Sequence, residues 1–241
     1  MPNTVFIGKD LPDGLDFAKS IANSGRTTFA CMKTEADTMT FETQNIFGAT
    51  WNKSSALSAY SFFIKAESKL QKMDEVIFYF DTNYFVTKFD SEKTDEIAAA
   101  VDIMICSYMY ACAEFLKRID KRREKTSAVF LLRDYPSKSE ILSSKSSSGV
   151  APSATVSAAQ EAFVSLAESF AANVSERNYL SVMLARCSQS NELYKSEANL
   201  AAWLATSMDA LSNQKNPQTV KQACSWNKAG FKIQSGLFFL R

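Results

Sequence analysis

The sequence contains no histidine. Without an imidazole, Ser-His-Asp and Cys-His catalysis are excluded, and the usual zinc sites lose their commonest nitrogen ligand. Glycine is almost as scarce, with 7 residues in a chain of 241. That is about 3%, where ordinary chains hold near 7%. Nucleotide-binding folds use glycine where the backbone must approach a cofactor, so the shortage counts against tight cofactor binding. The five cysteines (Cys31, Cys106, Cys112, Cys187 and Cys224) include no Cys-x-x-Cys pair. They read as reduced, mostly buried thiols of a cytoplasmic protein, and no metal site is expected. An excess of either charge is also missing. The net charge of +1 gives no reason to expect a nucleic-acid or acidic-membrane partner. No apolar run approaches the roughly 20 residues of a membrane span, and the first residues lack a basic, apolar, small-residue leader.

What is present suits one large α/β domain over residues 1–241. Hydrophobic residues make up 46% and charged residues 22%, enough to bury a sizeable core. The chain is organised around Val5 to Gly25. Val5, Phe6 and Ile7 form a short apolar run without helical period, which marks a strand buried on both faces. Gly8 to Gly14 reads as a turn rich in Gly, Asp and Pro. Leu15, Ala18, Ile21 and Ala22 recur at helical spacing, and Gly25 stands where a helix end wants a left-handed residue. Strand, glycine turn and helix form the first half of a nucleotide-binding βαβ unit, whose helix N-terminus is a natural pyrophosphate site.

The alternation continues. Strands are expected at Thr27 to Met32, weakly at Met39 to Gln44, at Glu75 to Phe80, at Ala128 to Leu132, at Tyr179 to Ala185 and at Lys232 to Leu240. Helices are expected at Ser54 to Gln71, with Leu57, Tyr60, Phe63, Ile64 and Leu70 on one face, and from Thr94 to about Ile119. Two more fall at Ala154 to Val174 and Ser196 to Leu211. Asp134 to Pro152 is a long polar loop. Strands separated by helices of this length give a doubly wound parallel sheet of six or seven strands with helices on both faces.

At this point the order of elements resembles the short-chain dehydrogenase/reductases, over nearly the whole chain. That family opens with Thr-Gly-x-x-x-Gly-x-Gly; here the run is Ile7-Gly8-Lys9-Asp10-Leu11-Pro12-Asp13-Gly14, with the middle glycine replaced by Pro12. Phe17 to Gly25 is similar to the family's first helix. Val156 to Leu166 resembles its Tyr-x-x-x-Lys helix in spacing and small-residue character, and Leu200 to Ser207 its penultimate helix. The resemblance implies a three-layer Rossmann fold.

The chemistry of that family does not carry over. Its tyrosine position falls on Val156 and its lysine on Gln160; neither can hold or tune a proton near neutral pH. The serine position falls on or near Asp134 and the asparagine position near Met104. The Asn-Asn-Ala-Gly after the fourth strand is replaced by Phe78-Tyr79-Phe80-Asp81, which places Phe78 and Phe80 beside the family's ribose. Tyr135 is the one tyrosine placed to substitute for the lost acid, although a structural role for it is the better reading. For a cofactor, the resemblance implies Gly8, Lys9, Asp10, Leu11 and Gly14 at the pyrophosphate, Lys33 at a 2′-phosphate and Asn52 at adenine. NADP would suit this set better than NAD, since no carboxylate awaits a ribose diol. A solvated Lys33 is the competing reading.

Two functions from different classes remain open at this point. One is a degenerate member of the family kept as a binding or scaffold protein. The other is an NADP-dependent oxidoreductase reducing a carbonyl through Tyr135 or Asp134 with Lys138. The two long helices, Asp95 to Ile119 and Ala154 to Val174, mix small and large apolar residues, and the resemblance implies a homodimer or homotetramer paired through them.

Overall fold

The computed structural model describes residues 1–34, 41, 45–89, 93–136, 141, 152–214 and 218–231. Among the described residues seven strands form one wholly parallel sheet. They are β1 (Asn3–Leu11), β2 (Thr27–Met32), β3 (Ile46–Thr50), β4 (Glu75–Asp81), β5 (Thr126–Arg133), β6 (Leu180–Cys187) and β7 (Trp226–Lys228). Their spatial order is β3-β2-β1-β4-β5-β6-β7. The order reverses between β1 and β4, and in such open sheets the crevice outside the strand carboxyl ends at that point is the usual ligand site. This is the Rossmann-like α/β architecture expected from the alternation.

Helices cover both faces. On one lie α1 (Leu15–Asn23) and, further along the chain, a helix over Glu197–Ser212. On the other lie α2 (Ala56–Leu70), the short α3 (Thr82–Lys88), α4 (Thr94–Arg122) and α5 (Ala154–Val174). The Glu197–Ser212 helix is α6; a single turn, α7 (Val220–Ala223), precedes β7. Because side chains alternate across a strand, β4 divides its aromatics between the two cores. Phe78 and Phe80 join the α4/α5 side, where Phe78 stacks on Phe130 at 4.7 Å and Phe80 meets Phe163 at 5.2 Å. Tyr79 joins the other side and stacks on Phe17 at 4.6 Å. Both phenylalanines are fully buried, so they fill the core and do not line a ribose site. Each such ring contributes roughly 1.5–3 kcal/mol by leaving water.

Several boundaries move from the sequence expectation, each for a stated reason. β1 runs on through Gly8 to Leu11, with an irregular register against β2 between Phe6 and Leu11. The turn is therefore only Pro12 to Gly14, preceded by a cis Leu11–Pro12 bond. The third strand is Ile46–Thr50, and Met39 to Gln44 lies outside the described residues except for buried Phe41. In α2 the buried face is Ala59, Phe62, Phe63, Ala66 and Leu70, whereas Leu57, Tyr60 and Ile64 are exposed. Phe62 takes the core position because it meets Phe29 at 5.2 Å and Trp51 at 5.6 Å. The expected strand at Lys232 to Leu240 lies outside the described residues, and the seventh strand is Trp226–Lys228. Residues 137–140 and 142–151 of the expected loop, Lys138 among them, also lie outside.

α4 is 29 residues long and carries an 18-residue stretch of mean hydropathy 1.4. By length and composition it could cross a membrane, which the sequence reading did not foresee. Its inner face, Ala100, Met104, Tyr108, Ala111, Phe115 and Ile119, packs into the core, and a π-helical turn at Asp102–Cys106 keeps that face on the sheet.

Candidate functional site

The carboxyl ends of β1, β4 and β5 and the start of α6 meet at the point where the strand order reverses. Four charged side chains occupy that crevice. Lys9 Nζ donates to Asp81 Oδ2 at 2.7 Å and also to Glu197 Oε1. Arg133 Nη1 donates to Asp81 Oδ2 at 3.0 Å and to Glu197 Oε1 at 3.2 Å. Its Nη2 donates to the Tyr194 carbonyl, and its guanidinium lies 4.4 Å from the Tyr194 ring centroid. Asp81 is fully buried and the Lys9 side chain is 6% exposed.

Geometry explains the chemistry of these groups. Burial works against the Asp81 charge, but Lys9 and Arg133 outweigh it and hold its pKa below the usual carboxylate range. Burial pushes Glu197 upward, and the adjacent Asp81 adds to the rise against the pull of Lys9. Burial also opposes the Arg133 charge, yet Asp81 holds its pKa above the ordinary value. Three polar atoms around the cluster, Tyr79 Oη, Tyr194 Oη and Arg133 Nε, are buried without a hydrogen-bond partner among the described residues.

The turn beside the cluster is tied down by its own side chains. Lys33 Nζ pairs with Asp13 Oδ1 at 2.7 Å, and Tyr84 Oη donates to Asp13 Oδ2 at 2.7 Å. Asp10 pairs with Lys53 at 2.9 Å, and Lys53 lies 4.2 Å from the Trp51 ring centroid. Asp10, Asp13 and Asp16 surround the α1 N-terminus, where a pyrophosphate would have to sit. The two glycines make room for the protein itself. A Cβ at Gly8 would stand 2.9 Å from the Tyr79 carbonyl oxygen, and one at Gly14 would stand 2.8 Å from that of Lys9. Leu11 is buried against the α1 side of the core.

Other positions named from the sequence have equally local roles. Asn52 Oδ1 accepts from the Ser54 hydroxyl at 2.8 Å, just ahead of the Ser55 cap of α2. Val156 is fully buried in α5, its N–H on the Ser153 cap. Gln160 Oε1 accepts from the Thr82 hydroxyl at 2.7 Å and the Tyr135 N–H at 3.2 Å, so it joins the ends of β4 and β5. Asp134 accepts from Arg186 Nε at 2.7 Å. Met104 is buried within the π-helical turn of α4. Tyr135 is 6% exposed. The sequence reading named Lys9 and Asp134 but missed Asp81 and Glu197 as a pair with Arg133. A buried strand ending in a charge, as Phe-Tyr-Phe-Asp and Phe-Leu-Leu-Arg do, was the available signal.

No family model matches the chain, and no curated protein sequence matches it. Solved structures do. The chain is similar to ElxO with NADP bound, at TM-score 0.63 and 12% identity over 95% of this chain and 96% of that one. It is also similar to a tyrosine-to-phenylalanine variant of ElxO with NADPH bound, at TM-score 0.60 and 12% identity over 91% and 94%. At this identity the likeness establishes a shared Rossmann-like α/β fold and nothing beyond the fold.

Proposed function

We propose that this protein is a non-catalytic binding or scaffold protein built on a short-chain-reductase-like fold. The observation that carries the reading is the crevice filled by Lys9, Asp81, Arg133 and Glu197. A dinucleotide entering there would have to break a buried four-charge network, which costs several kcal/mol for each charge left unpaired. At the α1 N-terminus Lys33 and Lys53 are already paired with Asp13 and Asp10, so phosphates would have to displace those carboxylates to use either cation. Both glycines serve the packing of β1 on its neighbours, so the residues present do not fit the cofactor. Val156 and Gln160, at the positions of the family's acid and its tuning cation, supply no proton and no charge.

The same reading includes self-association through α4 and α5. Ile97 and Met109 are 39% and 46% exposed on α4. Between Ile97 and Ala113 the only charged residue is Asp102. Such an outer face suits a partner helix better than water.

The second reading, an NADP-dependent reduction of a carbonyl with Tyr135 as the acid, is favoured by the dinucleotides bound in the two similar structures. NADPH fluorescence titration followed by a ketone, aldehyde and quinone panel separates the two. The expected result is no saturable change up to about 1 mM, a binding free energy weaker than about 4 kcal/mol, and no carbonyl-dependent oxidation. Saturable binding with turnover that Tyr135→Phe abolishes would overturn the scaffold reading and establish the second.

A further inference from the structure

We propose that the opposite, amino-terminal edge of the sheet holds a binding site for a small hydroxylated anion, with the chemistry of a sugar phosphate. The argument begins with strand register. Thr4 pairs with Glu75, Glu75 with Ser127, and Ser127 with Ser181, across β1, β4, β5 and β6. The four side chains form one row on the α1/α6 face. One turn of the pleat further along, the same face carries Phe6, Ile77, Val129 and Met183, all buried and apolar. A polar row in that place is a departure that packing alone does not call for.

Half of the row is satisfied from within. The Thr4 hydroxyl donates to Glu75 Oε2 at 2.6 Å, and Arg26 donates to both Glu75 oxygens at 2.8 and 3.0 Å. The same Arg26 also pairs with Asp209 at 2.6 Å, so Glu75 is held inside the core by its hydrogen bonds and the anionic group belongs at the Lys125 end of the cavity. The other half faces the cavity instead of a protein partner. Ser127 is 6% exposed and Ser181 half-buried, and neither hydroxyl has a partner among the described residues. Both line a cavity of about 580 Å³ beneath the carboxyl end of α6, beside Asn178, Tyr179 and Lys125. That volume lies within the roughly 300–1,000 Å³ of small-molecule sites.

The lining selects the ligand class. Lys72 is paired with Asp74 at 2.8 Å, whereas Lys125 has no ion pair among the described residues. One free ammonium at the rim calls for one anionic group. Two serine hydroxyls and an amide, each able to give and accept, call for hydroxyls on the body of the ligand. The site is at the other edge of the sheet from the charged crevice and does not rest on the scaffold reading.

The test is calorimetric titration of the intact protein with ribose 5-phosphate, ribose and inorganic phosphate. Ribose 5-phosphate is expected to bind at least about tenfold more tightly than either fragment. Ser127→Ala, which removes only the hydroxyl oxygen, should weaken it about tenfold, as should Lys125→Glu. Lys65→Glu, exposed on α2, should leave it unchanged, and thermal melts check that each variant is folded. No heat of binding up to about 10 mM, weaker than about 3 kcal/mol, would overturn the proposal. So would equal binding of inorganic phosphate, or undiminished binding by folded Ser127→Ala and Lys125→Glu.

Discussion

Replacing Asp81 by Asn tests whether the crevice network is a structural closure. Asp81 Oδ2 receives Lys9 at 2.7 Å and Arg133 at 3.0 Å, and Oδ1 caps α3 through the Tyr84 N–H at 3.3 Å. Asparagine keeps the shape and one acceptor for the cap but removes the charge. Two cations would then face Glu197 alone, with Lys9 only 6% exposed and unable to reach water. Breaking a buried pair by removing one partner costs about 3–5 kcal/mol. Most of that cost should return as recovery when Lys9→Met is added, since the double variant leaves Arg133 balanced by Glu197. The assay is urea unfolding at pH 7. With a slope near 3 kcal/mol/M, the midpoint of Asp81→Asn should fall by about 1–1.7 M. The coupling between the two substitutions should be about 2 kcal/mol or more. A loss below about 1 kcal/mol, or strictly additive effects, would show that the four charges are solvated neighbours and not a closure.

Glu197→Gln should remove a pH dependence of stability. The folded pKa of Glu197 is raised by burial and by Asp81, so the wild type is favoured with Glu197 protonated. It loses that advantage as pH rises from the ordinary value near 4.3 through the raised one. Denaturant midpoints from pH 4 to 7 should therefore fall for the wild type relative to Glu197→Gln. Gly8→Ala should cost about 1–3 kcal/mol in the same unfolding assay, because its Cβ would meet the Tyr79 carbonyl oxygen at 2.9 Å and that neighbour is backbone. Met109→Glu with Ile97→Glu should turn an oligomer into a monomer in light scattering at micromolar concentration, with unchanged helix content; a wild-type monomer would refute that reading.

The apolar runs Val5 to Ile7, Thr27 to Met32, Glu75 to Phe80 and Ala128 to Leu132 determined the central strands by themselves. Strands buried on both faces need no partner to be recognised, because nearly every residue in them is apolar or β-prone. The small-residue run likewise marked α5 as Ala154–Val174, and Gly25, at φ 86°, ended α1 as its position suggested. The face of α2 was not legible. Leu57 and Phe62 are equally apolar in sequence, and only the aromatic cluster with Phe29 and Trp51 decides which is buried. The crevice was hidden for a related reason. Lys9, Asp81, Arg133 and Glu197 are up to 188 residues apart in the chain, and each alone reads as a charge at an element's end. The parallel register sets Asp81 beside Arg133, and the packing of α6 on α1 brings Glu197 over Lys9. Hydrophobic pattern is a local property, whereas the pairing of buried charges depends on which ends the topology brings together.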